Sequence, residues 1–168
     1  LSKRDFKRVT FPLTKFGAKF QLKKKFGLPL TICGTENLKP IRCYEKRGSA
    51  QCKSSIIFAG MRTKGKTIIK AKKSRNHTEL LCKFLKLPVK IINKKSYDLI
   101  EVNKIKKINP LNYQIPSDIS SAAFFIVLTA LSENSKIIIK NVNINPTRIG
   151  VITILKKMGV KIFFRNKN

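Results

Sequence analysis

Two apolar runs in the chain are built alike. In GSAQCKSSIIFAG, residues 48–60, small polar residues pass without a break into Ile56, Ile57, Phe58 and Ala59. In SSAAFFIVLTAL, residues 120–131, the same happens from Ala122 onward. A small-residue start followed by a near-continuous apolar stretch predicts a buried helix in both places. The longest such run, Ala122 to Leu131, has ten residues, and a bilayer span needs about twenty. Each run is followed by a short β-branched segment, KTIIK (66–70) and KIIIK (136–140), which predicts a strand. A second helix follows in both: Leu80, Leu81, Phe84 and Leu85 recur at helical spacing, as do Ile149, Ile152 and Leu155. Residues 49–91 therefore lie over residues 120–162 at a spacing of 71, with about one residue of drift.

The pattern extends in both directions. Lys90-Ile91-Ile92 leads through a turn at 93–96 into a strand at 97–102, and strands are also predicted at 28–33 and 40–44. Phe6, Val9, Leu13 and Phe16 form a helical stripe ending at Gly17, followed by a strand at 18–22. Pro12 lies inside that stripe and is expected to kink or restart the helix. The fold class is α/β (α+β), with βαβαββ as the repeated unit: one partial copy, one complete copy and one unfinished copy. The pattern resets near Gln114-Ile115-Pro116-Ser117, which predicts a first domain at 1–115 and the start of a second at 116–168. A chain that opens on Leu1 and stops within a repeat reads as an internal fragment.

The formal net charge of +29 raises nucleic acid as a partner. The basic residues are 29 Lys and only 8 Arg, however, and Lys, Ile and Asn make up 63 of the 168 residues. All three have AT-rich codons, and the lysines are scattered, so the expectation is a solvated basic surface without specific nucleic-acid binding. Small anionic substrates remain compatible with it. Cys33, Cys43, Cys52 and Cys82 form no CxxC pair and His77 has no HxxxH partner, so neither a zinc site nor a disulfide framework is expected. Reduced thiols and the lack of a signal-type apolar region after LSKRDFKR point to a cytoplasmic protein that does not enter a membrane.

Three places could carry chemistry. Ser49 fits an N-cap; alternatively, the free N–H groups of that helix start receive an anion, with Gln51 adding a donor. At the equivalent entrance, Asp118 already supplies a carboxylate. In KSRNHTE (73–79), Ser74 or Asn76 can cap, Glu79 has capping-box spacing from Asn76, and Arg75 is either a surface cation or a bidentate partner for phosphate or carboxylate. His77 reads as structural. Arg4 faces an anion or water.

The motifs LSKR…KRV, PL..FGA, GSAQ.KS, SR.HTE, P.D.SSAAF and NPTR.G, in this order, resemble the 5-enolpyruvylshikimate-3-phosphate synthases (3-phosphoshikimate 1-carboxyvinyltransferases) over essentially the whole chain. The form with SAQ and SR.HTE is similar to the bacterial class noted for glyphosate tolerance. The resemblance implies six βαβαββ units in two globular domains, with the chain crossing between them near 115–118. It implies that Ser49, Ala50, Gln51 and Arg75 hold shikimate 3-phosphate, that Gln51 also approaches phosphoenolpyruvate, and that Arg4 binds phosphoenolpyruvate. The implied reaction adds the 5-hydroxyl of shikimate 3-phosphate to C2 of phosphoenolpyruvate and expels phosphate, without metal or organic cofactor. The implied acid/base groups lie outside these 168 residues, so no catalytic residue is expected here, and the full-length protein is expected to be a monomer. Asp5 stands where the family has proline and is expected to pair with Arg4; Asn76 replaces an aspartate. Ser117 replaces a glycine and would be strained at positive φ. Two rival readings are a sister transferase acting on a UDP-sugar and a basic nucleic-acid-binding module on the same repeat.

Overall fold

Helix α1 (Lys7–Phe16) ends at Gly17, whose φ of 111° is left-handed and turns the chain out of the helix. It runs through Pro12 as one helix. Proline has no N–H, so the Arg8 carbonyl loses its helical donor, and the Cys52 thiol donates to that oxygen instead at 3.3 Å. The computed structural model describes residues 5–22 and 27–165. They fall into two units, residues 1–110 and 111–168.

In the first unit, β1 (Lys19–Leu22) and β2 (Leu30–Cys33) pair antiparallel. Then come β3 (Arg42–Glu45), α2 (Ala50–Gly60), β4 (Thr67–Lys72), α3 (His77–Phe84), β5 (Val89–Asn93) and β6 (Tyr97–Val102), the expected βαβαββ order. They make a four-stranded sheet, β3-β4-β6-β5, in which β3 and β4 are parallel and β6 is antiparallel to both its neighbours. Ile69, Ala71, Ile100 and Val102 point inward while Lys70 and Lys72 point out, as the two-residue period of a strand requires. Against that inner face α2 lays Ile56, Ile57 and Gly60. A Cβ on Gly60 would come within 3.1 Å of Thr67 Cβ, so glycine sets how closely helix and sheet approach.

The second helix departs from its expected stripe. Leu80, Leu81 and Phe84 are exposed, and α3 buries Glu79 and Cys82. The reason is electrostatic: Lys53 on α2 is fully buried and pairs with Glu79, which turns that edge of α3 inward.

The second unit contains α4 (Ile119–Leu131) and α5 (Gly150–Lys157). α4 was expected to be buried, yet only Ile119 and Ala122 are, while Phe124 is 78% and Leu131 81% exposed. A helix apolar all round needs cover on every side, and here one stripe of it meets Ile152 and its neighbours. KIIIK is not a strand. Among the described residues the unit has a single parallel bridge, Ser117 to Val142, equivalent under the repeat to the last rung of β3 and β4, Glu45 to Ala71. Residues 136–140 and 160–164 have no ladder partner among the described residues, although Ile139, Ile162 and Phe164 pack against the small core. Ser117 is not among the residues with positive φ, so the expected strain is absent. Its N–H donates to the Asn141 carbonyl at 2.6 Å, and its carbonyl accepts from Asn143 at 2.9 Å.

Candidate functional site

The entrance to α2 is shaped from β3 onward. Glu45 ends that strand buried, and its two carboxylate oxygens accept the N–H groups of Arg47 and Ser49, each at 3.0 Å. Between them Gly48 takes a φ of 68°, and a Cβ there would lie 3.1 Å from the Lys73 carbonyl oxygen. Glycine thus lets the turn before α2 lie against the segment before α3. Ser49 caps α2 by accepting the Cys52 N–H at 3.3 Å. No acidic residue occupies the first turn itself, and the Glu45 carboxylate at the entrance is taken up by the Arg47 and Ser49 N–H groups.

An open cleft of about 480 Å³ begins at this entrance. Its walls are Ala50, Gln51, Ser54, Ser55 and Phe58 from α2, with Arg75, His77 and Thr78 from the start of α3. Gln51 Oε1 accepts from Arg8 Nη2 at 3.3 Å, which leaves the amide N–H groups to serve as donors. Ser54 Oγ and Thr78 Oγ1 share a hydrogen bond of 2.6 Å across the cleft floor. The lining therefore offers helix N–H groups, an amide, hydroxyls and a guanidinium, and no carboxylate. Such a set suits a small anion.

Of the residues singled out by sequence, Ala50, Gln51 and Arg75 share this cleft and Ser49 caps the helix beneath it. Arg4 lies outside the described residues, and with it the expected pairing to Asp5. The Asp5 carboxylate accepts the Lys7 N–H at 2.6 Å, at the start of α1. The expected capping box at α3 does not form: the Asn76 side chain makes no cap bond and Glu79 faces Lys53. His77, read as structural, is exposed on the cleft wall. Sequence reasoning missed Ser54 and Thr78, although each stands three residues beyond one it did select, Gln51 or Arg75. Nothing in the sequence pointed to Arg8, which reaches Gln51 only through the packing of α1 on α2.

The second unit contains the corresponding arrangement with an anion of its own. Asp118 Oδ1 accepts the Ser120 N–H at 3.1 Å and Arg148 Nη2 at 2.8 Å, and Arg148 also donates to Ser120 Oγ. The Ser120 N–H, then the Arg148 guanidinium, hold the Asp118 carboxyl below its ordinary range. Arg148 stands two residues ahead of α5, as Arg75 stands two ahead of α3. From this position Arg148 reaches the carboxylate on the entrance of the preceding helix.

Comparison with known proteins adds the family. Residues 1–167 match the family model described as EPSP synthase (3-phosphoshikimate 1-carboxyvinyltransferase). The chain is 45% identical over 164 residues to the 3-phosphoshikimate 1-carboxyvinyltransferase of Caldicellulosiruptor bescii, covering 96% of this chain and 38% of that one. It is 41% identical to the enzyme of the same name from Leuconostoc mesenteroides, covering 96% of this chain and 37% of that one. Among solved structures, EPSP synthase from Acinetobacter baumannii superposes with a TM-score of 0.78 at 38% identity, covering 95% of this chain and 36% of that one. The chain thus spans under two-fifths of the length of these relatives.

Proposed function

The chain belongs to the EPSP synthase family, and from that membership we propose that it forms the substrate-cradle part of a 3-phosphoshikimate 1-carboxyvinyltransferase. Ser49, Ala50, Gln51 and Arg75 hold the phosphate end of shikimate 3-phosphate at the α2 entrance, and Gln51 also faces phosphoenolpyruvate. Arg4 belongs to the phosphoenolpyruvate side. The observation that carries this reading is the pairing of the two entrances: Arg148 meets the carboxylate of the N-cap Asp118 at α4, and Arg75 lines the cleft at α2, where the N-cap is Ser49 and the lining has no carboxylate.

In this role the cradle orients the substrate so that its 5-hydroxyl meets C2 of phosphoenolpyruvate, and the cations offset charge at the phosphate. In this reading the acid/base groups come from outside these residues. Residues 1–115 and 116–168 belong to the two globular domains in this reading, with the crossover near Ser117. No helix among the described residues is long and apolar enough to cross a membrane, and a cytoplasmic monomer acting in aromatic biosynthesis belongs to the same proposal. Family membership favours this reading over a UDP-sugar transferase or a nucleic-acid-binding module. The full-length protein given shikimate 3-phosphate and phosphoenolpyruvate is expected to release phosphate. Release with a UDP-sugar acceptor but not with shikimate 3-phosphate would overturn the assignment.

A further inference from the structure

We infer that the buried Lys53–Glu79 pair is a positioning device that fixes the spacing of the two cleft walls, and that fold stability does not depend on it. The inference rests on reading the cleft as an anion cradle. Lys53 is fully buried and the Glu79 side chain is 6% exposed, whereas each other ion pair described has at least one partly exposed partner. Lys53 belongs to the stripe of Cys52, Ile56, Ile57 and Gly60, a setting in which an apolar side chain of similar length would avoid the desolvation penalty. Nor is that penalty offset by surrounding bonds: beyond the contact through Glu79 Oε1, neither Lys53 Nζ nor Glu79 Oε2 has a further hydrogen-bond partner among the described residues. Burial energy therefore does not account for the pair.

Its position does. Lys53 and Glu79 tie the first turn of α2 to the first turn of α3, and Ser54 and Thr78, their chain neighbours, are joined at 2.6 Å. Two adjacent clasps prevent both sliding and rotation of one helix start against the other. Gln51 lies one turn before Ser54, and Arg75 lies three residues before Thr78, so the clasps set where the amide and the guanidinium meet in the cleft. A buried, directional pair can specify such a register, and an apolar contact, which tolerates slippage, cannot.

The test compares the full-length protein with its Lys53→Met/Glu79→Leu double variant by three measurements: urea midpoint, dissociation constant for shikimate 3-phosphate, and ligand-free amide hydrogen exchange. The double variant is expected to keep at least the wild-type midpoint. It should bind about tenfold to a hundredfold more weakly and exchange faster at residues 50–54 and 77–80, with β4 and β6 still protected. Glu79→Asp, which keeps the charge one methylene short, should fall between the two in exchange and affinity. A double variant that fails to fold, loses stability throughout, or keeps wild-type exchange at both helix starts would overturn the inference. If the wild type does not bind shikimate 3-phosphate but the exchange changes as expected, the clasp stands and the functional reading falls. If the wild type binds and the double variant matches it, the clasp falls and the functional reading stands.

Discussion

Cys43 and Cys82 are held as thiols by their surroundings. Burial pushes each up to about 11; Glu79 adds to the rise at Cys82, and at Cys43 Lys15 opposes it while Glu45 adds to it. A thiol raised from 9.0 in this way contributes stability that is complete below pH 9 and is lost as pH rises through about 11. Alkylation of the native protein at pH 8 should therefore modify exposed Cys33 first, with Cys43 slow and buried Cys52 and Cys82 protected until unfolding. Peptide mapping by mass spectrometry checks the order, and early modification of Cys82 would contradict it. At this scale the sequence was legible where a residue acts on its own neighbours. Ser49 caps as its position before the apolar run requires. Glu79 was misread because its local spacing fits a capping box, while its actual partner lies 26 positions away on another helix. A lone lysine in an otherwise apolar stripe was the available sign.

Among the elements, the entrance to α4 carries a dependence on pH. The Asp118 carboxyl, held low by Ser120 and Arg148, contributes stability present above the ordinary carboxylate value and lost as pH falls through its lower folded value. Asp118→Asn keeps an N-cap acceptor that does not titrate. It should flatten the acid limb of a urea-midpoint profile below about pH 4; an unchanged limb would show that other groups set it. At α1, Cys52→Ala removes the donor to the Arg8 carbonyl that Pro12 leaves without one. A loss of about 1–3 kcal/mol is expected from urea unfolding, with Cys52→Ser recovering part of it; no loss would show that the oxygen is satisfied otherwise. The elements themselves were largely legible, because helix starts and hairpin turns are written in local chemistry. KTIIK forms β4 between β3 and β6, whereas KIIIK, of nearly the same composition, has no ladder partner among the described residues. Composition makes a strand possible; only a neighbour makes it one.

Over the whole molecule, charge is used sparingly. Of eight acidic residues, Asp5, Glu45, Glu79, Asp98, Glu101 and Asp118 each hold a backbone N–H or a cation. The 29 lysines far outnumber these acidic residues and are dispersed along the chain, so any binding to duplex DNA should be sequence-independent and fall steeply between about 50 and 200 mM salt. A sequence-selective complex that persists at physiological salt would contradict this. The repeat and the family were legible because both are carried by ordered motifs. The exposed circumference of α4 was not, since a sequence shows that a helix is apolar but not what covers it.

The central claim is that the α2 entrance and Arg75 hold the phosphate of shikimate 3-phosphate, and its most direct test is ligand-induced stabilisation of the full-length protein and its Arg75→Ala variant, each against its own ligand-free value. With ligand at 100 times the wild-type dissociation constant, wild type should gain about 2.7 kcal/mol. Arg75→Ala loses a charge-assisted contact of about 1.5–3 kcal/mol and should bind on the order of tenfold to a hundredfold more weakly. Shikimate lacking the phosphate should not distinguish the two proteins. Equal stabilisation of both by shikimate 3-phosphate would contradict the account and place the phosphate elsewhere.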